Sequence, residues 1–315
     1  MTESGQSLRR ITRSLIQFLI SWKGLILAAV VLFLAYSILN TRLGVHLVLD
    51  VFTELGEEEE VIRPASQGPL KISAVLTPVE TIPLPEGIEQ PSGIKHRNRK
   101  VYISTDQVEL FVLGVDFKET KSSTVLRKGP LLFKQGILEG IEVQEGRLIG
   151  VGELGEIPVW VKDSYGGWLE VAPLSVSHPV KALEFTGIAQ TPDGLVATVE
   201  GSLELLALKT ATPIQLSFGS FVKEDGDLLG LAFSGIAYHD GAYFLLTEQY
   251  TSVLVFGAKS AALQYVFEVE PSAAADLSYY DGKIYVVIDH NYNEPRPDVQ
   301  VYDIEAAMAE LDSES

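Results

Sequence analysis

Short apolar runs alternate with tight polar turns along most of this chain, and one such unit occurs five times. The copies read PSGIKHRNRKVYISTD, LEGIEVQEGRLIGVGE, FTGIAQTPDGLVATVE, FSGIAYHDGAYFLLTE and AADLSYYDGKIYVVID. In each, an anchor residue opens an apolar strand, a polar turn follows, and a second apolar strand stops at an acid thirteen positions after the anchor. The anchors are Gly93, Gly140, Gly187, Gly235 and Asp276, spaced 47, 47, 48 and 41 residues apart, and the acids are Asp106, Glu153, Glu200, Glu248 and Asp289. His239-Asp240-Gly241, Tyr280-Asp281-Gly282, Pro192-Asp193-Gly194 and Glu145-Gly146 supply the left-handed backbone positions that two-stranded turns need, which makes each unit a hairpin. In the second strands, Tyr102, Ile149, Val196, Phe244 and Tyr285 fall at one offset and Val101, Leu148, Leu195, Tyr243 and Ile284 at the offset before. A strand apolar on both sides is covered on both sides, as inner strands of radially packed blades are.

Further strand-like runs follow each hairpin: Glu109 to Phe117, Pro158 to Val161 with Trp168 to Val171, Leu203 to Leu208 with Ile214 to Phe218, Ser252 to Phe256 with Leu263 to Val269, and Val299 to Ile304. About four strands per repeat at this period predict an all-β, five-bladed β-propeller. No residues remain for a sixth blade. The fifth copy has room for only three strands, because Glu305 to Leu311 reads as helix. Lys71 to Leu84 (KISAVLTPVETIPL) is strand-like and belongs to no repeat, so it is expected to complete the last blade and close the ring without an open edge.

The run of LEGI, FTGI and FSGIAYHDGAYFLLTE, with PSGI and a strand ending in an acid, resembles the SdiA-regulated family of bacterial membrane-anchored propellers. The resemblance covers the chain beyond its N-terminal linker, and it implies the same five-bladed fold behind a membrane anchor while implying no biochemical activity. The copies depart from one another at Asp276, where the others have glycine, and at Glu139, the one acid that directly precedes an anchor.

Before the repeats, Leu15 to Leu39 is a long apolar run whose stretch from Gly24 to Leu39 carries no charge. Those sixteen residues rise about 24 Å as a helix, and Leu15 to Trp22 extends them toward the ~30 Å of a hydrocarbon core, with Lys23 free to snorkel. The expectation is one transmembrane signal anchor. The length of the run and Asn40-Thr41-Arg42, a poor match to a cleavage site, favour it over a cleaved signal peptide. Arg9, Arg10, Arg13 and Lys23 precede the uncharged run, and Arg42 alone follows it before Glu57-Glu58-Glu59-Glu60, which leaves the N-terminus in the cytoplasm. The expected division is a cytoplasmic N-terminus (1–14), an anchor (15–42), a juxtamembrane segment and acidic linker (43–69), the propeller (70–308) and a tail (309–315). The propeller then sits in the periplasm or outside the cell of a bacterium.

Of the 24 basic and 42 acidic residues, five and one fall in residues 1–42, leaving 19 against 41 and a net charge of −22 for the rest. Such a domain repels nucleic acid and prefers cations. Cysteine is absent, which excludes disulfides and thiol catalysis. Acids make up 42 of 315 residues, so five of five at one offset is an accident on the order of one in a thousand.

These acids and the residues preceding the anchors are expected to share one end of the propeller near the channel mouth. Neighbouring carboxylates about 8 Å apart repel by roughly 2 kcal/mol at an effective dielectric near 20, so the ring must bind a cation, hold protons or splay into water. The candidate ligands are Glu139, Asp106, Glu153, Glu200, Glu248, Asp276 and Asp289, with Glu139 the first choice. An all-oxygen set suits Ca²⁺ before Mg²⁺; the bland alternative is that these acids only end strands in water or cap turns.

Other signals are weaker. Gly150 to Gly155 matches G-x-G-x-x-G but leads to Ile157-Pro158-Val159-Trp160 and not to a helix, which argues against a dinucleotide site. The five histidines lack zinc spacing, no G-x-S-x-G occurs, and His290 beside Asp289 reads as a loop residue. Tyr250, Tyr279, Tyr280 and Tyr292 line either a pocket or the blade interfaces. Two functions stand: a module that binds a small ligand or an envelope partner, and a metal-dependent hydrolase of lactonase, esterase or phytase-like type. Binding is favoured because no recognisable base or nucleophile accompanies the carboxylates.

Overall fold

A computed structural model describes residues 62–118, 124–126, 138–152, 155–164, 166–174, 184–247, 249–270, 273–289 and 297–314. The expected anchor and most of the expected linker lie outside the described residues. Among the described residues no helix is long and apolar enough to cross a membrane.

Each repeat becomes one antiparallel blade. Two short N-terminal strands come first, β1 (Ala74–Val75) and β2 (Glu80–Pro83). Blade 1 is β3 (Pro91–Arg97), β4 (Lys100–Thr105), β5 (Glu109–Gly114) and β6 (Thr124–Val125). Blade 2 is β7 (Leu138–Gln144), β8 (Arg147–Gly152), β9 (Val159–Lys162) and β10 (Trp168–Val171). Blade 3 is β11 (Phe185–Thr191), β12 (Gly194–Val199), β13 (Glu204–Ala207) and β14 (Thr212–Gln215). Blade 4 is β15 (Phe233–His239), β16 (Ala242–Thr247), β17 (Ser252–Gly257) and β18 (Leu263–Glu268). Blade 5 is β19 (Ala274–Tyr280), β20 (Lys283–Ile288) and β21 (Asp298–Asp303), and β2 pairs with β21 as its fourth strand.

The ring therefore closes through the N-terminal segment, as its strand-like pattern predicts. The segment does more than that: β1 pairs in parallel with β18 and gives blade 4 a fifth strand. Residues 62–69, expected as linker, lie on blade 4 and on the connection before it: Arg63 N–H donates to Gln249 O (2.9 Å), and Lys223 Nζ, between blades 3 and 4, donates to Ser66 O (2.9 Å) and Gly68 O (2.6 Å).

The core is five apolar layers, one in each gap between blades. Val101, Leu148, Leu195, Tyr243 and Ile284 fill the gap before their own blade, and Tyr102, Ile149, Val196, Phe244 and Tyr285 fill the gap after it. The double apolar parity of the second strands is thus the signature of a strand packed on both faces.

The chain ends in α1 (Ile304–Glu314), whose Ala306 N–H donates to Asp303 Oδ1 (3.1 Å) in an N-cap contact. Ile304, Ala307, Met308 and Leu311 pack on the layer between blades 4 and 5. The helix covers the expected Glu305 to Leu311 and continues through the tail to Glu314.

Candidate functional site

The site is built on the five inner strands, β3, β7, β11, β15 and β19, which surround the axis. Each carries the same irregularity: pairing with the second strand slips between the residue two before the anchor and the anchor itself. This repeated bulge leaves Ser92, Glu139, Thr186, Ser234 and Ala275 as the extra residues, and a bulge re-aims a side chain.

At the anchors the strands almost touch. A Cβ on Gly140 would lie 3.0 Å from Gly187 Cα, one on Gly187 3.1 Å from Gly235 Cα, and one on Gly235 2.9 Å from Asp276 Cα. Glycine recurs there because neighbouring backbones leave no room for a side chain. Asp276 ends the series, and its carboxylate spans the last gap. Oδ2 accepts from Ile94 N–H of blade 1 (3.0 Å) and Oδ1 from Leu277 N–H (2.8 Å). Burial pushes Asp276 up to about 7, against the pull of Lys95 and of the two N–H donors and with the help of Glu142.

Two residues further along, three of the five inner strands contribute to a second polar level. Glu142 Oε2 accepts from Gln190 N–H of blade 3 (3.0 Å) and Oε1 from Val143 N–H (3.0 Å), and Lys95 Nζ reaches it across the blade 1–2 gap at 3.3 Å. Lys95 Nζ also donates to Ile188 O (3.4 Å), and Ser278 Oγ accepts from His96 N–H (3.0 Å). Inner-edge N–H groups have no strand partner on the axial side, and a carboxylate or hydroxyl from the preceding blade satisfies them here. Lys95, Glu142 and Asp276 are all buried.

A third level is aromatic. Tyr280 stacks on His96 (5.0 Å, 15°) and His239 on Tyr279 (4.0 Å, 14°) across blade gaps. Phe117 and Tyr285 complete the box around His96, whose two ring nitrogens are buried without hydrogen-bond partners among the described residues. Burial, aided by Lys95, lowers His96 to about 3, so the imidazole is neutral.

Asp106, Glu200 and Asp289 occupy one place in their blades. Their backbone N–H groups donate to Gln90 O (3.1 Å), Glu184 O (2.9 Å) and Ala273 O (2.8 Å), each the residue three before its anchor. Glu200 is exposed, Asp106 and Asp289 half-buried, and Glu139, the bulge residue of β7, half-buried. Glu153 and Glu248 lie outside the described residues, as do His46, His178, His290 and Tyr292. Among the described residues no three His, Asp or Glu side chains converge as a ready cation cage. Asp276 stands apart from the strand-end acids, deep between the blades.

Sequence reasoning missed Lys95 and Glu142. The signal was the position two after each anchor, Lys95, Glu142, Ala189, Ala237 and Ser278, where three polar residues interrupt strands that are otherwise apolar or small. The G-x-G-x-x-G match has a packing origin at its first glycine: a Cβ on Gly150 would meet Leu138 Cδ1 at 2.5 Å and the Trp160 ring at 3.0 Å. Tyr279 and Tyr280 serve blade interfaces, and Tyr250 lies against Gly68.

Fold and axis define the class, an all-β five-bladed β-propeller. No protein-family model and no curated protein matches the sequence. Three solved structures are similar in structure. A glutaminyl cyclase from Myxococcus xanthus is similar with a TM-score of 0.51 at 12% identity, over 72% of this chain and 97% of that one. A PQQ-bound aldose sugar dehydrogenase from Streptomyces coelicolor gives 0.45 at 12% identity, over 71% and 97%. The β-propeller domain of Cps50 (Swd1) from Myceliophteria thermophila gives 0.39 at 10% identity, over 70% and 84%. At these identities the likeness concerns the fold alone.

Proposed function

We propose that this protein is a non-enzymatic binding module: a propeller held at a bacterial membrane by residues 15–42, facing away from the cytoplasm, with Ca²⁺ bound among the acids at its mouth. The observation that carries the binding reading is the way the axis uses its buried charged groups. Asp276 and Glu142 spend their oxygens on backbone N–H groups and Lys95, so neither of these buried carboxylates is poised as a base beside a nucleophile among the described residues. The likeness to the SdiA-regulated family supports the tether.

The ligand set for the cation is Glu139, Asp106, Glu200 and Asp289 with Glu153 and Glu248, the acids on strand ends and on the bulge. Asp276 supports the ring instead, because both its oxygens already accept hydrogen bonds. Oxygen ligands on separate loops give the adaptable geometry that Ca²⁺ tolerates and Mg²⁺ does not.

The competing reading is a metal-dependent hydrolase. A screen of the full-length protein against lactones, aryl esters and phosphomonoesters, with Ca²⁺ and with chelator, separates the two. No turnover above background is expected in either condition. Turnover that chelator abolishes would replace the binding reading with the hydrolase.

A further inference from the structure

The end of the propeller opposite the acidic strand ends is formed by the five β-turns that join the inner and second strands. Four of these turns carry acid: Glu145, Asp193, Asp240 and Asp281. Where a cation occurs beside them, as Arg147 or Lys283, an acid of the same turn accompanies it.

Blade 1 breaks the rule with Arg97-Asn98-Arg99-Lys100, four exposed residues without an acid. Arg97 and Lys100 are direct cross-strand partners, an arrangement of like charges that weakens a hairpin. Arg99 sits in the left-handed region at φ 59°, where blades 2, 4 and 5 place Gly146, Gly241 and Gly282 at the same step of the turn. An arginine is strained there and a glycine is not. None of the three cations makes an ion pair or a side-chain hydrogen bond among the described residues, while the neighbouring Lys118 is paired with Asp116 at 3.2 Å. The like-charge pair and the left-handed arginine both weaken this hairpin, which points to a use of the tip outside the fold.

From this we infer that the blade 1 hairpin tip, Arg97, Arg99 and Lys100, is a docking site for a short acidic peptide segment of a partner protein. Guanidinium groups take carboxylates two-pronged, and three exposed cations on one turn suit two or three successive acidic side chains. The surrounding charge decides against larger anions. A nucleic acid or an anionic membrane laid across this end would meet Glu145, Asp193, Asp240 and Asp281 as well, whereas a single extended segment crosses blade 1 alone. With a screening length of about 8 Å at physiological salt, the tip acts at contact despite the net negative charge around it. The inference is independent of the Ca²⁺ reading.

The test is fluorescence anisotropy of a labelled oligoglutamate peptide with the full-length protein in detergent and chelator, at rising salt. Salt-sensitive binding is expected, weakened about tenfold or more in the triple variant R97Q/R99G/K100Q. R99G alone should weaken binding while melting no lower than the parent, a split that a purely structural role for Arg99 would not produce. The inference is overturned by no binding at low salt, or by equal binding to the triple variant. Capture of phosphatidylglycerol vesicles in place of the peptide would also overturn it, in favour of a lipid surface.

Discussion

Two buried residues at the axis set opposing pH dependences. Asp276, raised to about 7 from an ordinary value near 3.9, holds its proton in the folded state after the unfolded chain has lost it. Its contribution to stability is complete below about pH 4 and is lost as pH rises through about 7. His96, lowered to about 3, stays neutral after the unfolded chain has taken up a proton, so its contribution is present above about pH 6.5 and is lost as pH falls toward 3. Between about pH 4 and 6.5 the two slopes oppose each other. Single variants should unmask them: His96→Phe should melt progressively lower as pH rises from 5 to 7 relative to the parent, and Asp276→Asn progressively higher. Each tenfold change in proton affinity is worth about 1.4 kcal/mol, so shifts of several degrees are expected. Parallel melting curves for all three proteins across this range would refute the assignment. The sequence marked Asp276 as a departure from glycine but not its role, because the role depends on Ile94 in a blade 182 residues away. Lys95 and Glu142 stand out as polar at the position two after the anchor, but their pairing was illegible for the same reason, since nothing in a single strand says which polar residue will meet its partner across the axis.

The blades were legible element by element. Hairpin turns, the double apolar parity of second strands and the shortage of one strand in the last repeat all follow from periodicity, and the fourth strand of blade 5 comes from the segment that the pattern left over. The division of that segment was not legible. Lys71 to Leu84 reads as one strand, but Thr77-Pro78 interrupts it, because Pro78 has no N–H for a ladder. The two halves serve two blades, β1 on blade 4 and β2 on blade 5. Deleting Lys71–Leu84 from the full chain should therefore expose two sheet edges and the apolar layer beneath Leu84, and yield an aggregating or unfolded protein. A folded deletion variant with an unchanged melting temperature would contradict the closure described above.

At the scale of the whole molecule, the five-fold repeat predicts equivalent positions for the strand-end acids, and among the described residues Asp106, Glu200 and Asp289 make the same backbone bond. Depth was beyond sequence reading. Asp276 shares its offset with glycines and not with the strand-end acids, and it lies between blades where backbone N–H groups claim its oxygens. On the proposed reading the two ends differ in character, a mouth of strand-end acids and an opposite end whose one basic turn stands among four acidic ones. The proposed module would hold a cation at one end and a partner at the other. Isothermal titration of Ca²⁺ into the chelator-treated full-length protein tests the mouth most directly. Saturable binding is predicted, weakened in Glu139→Gln and unchanged in Glu57→Gln of the linker. The absence of binding heat for both Ca²⁺ and Mg²⁺, with a melting temperature indifferent to chelator, would contradict it and leave the mouth acids as solvated strand ends.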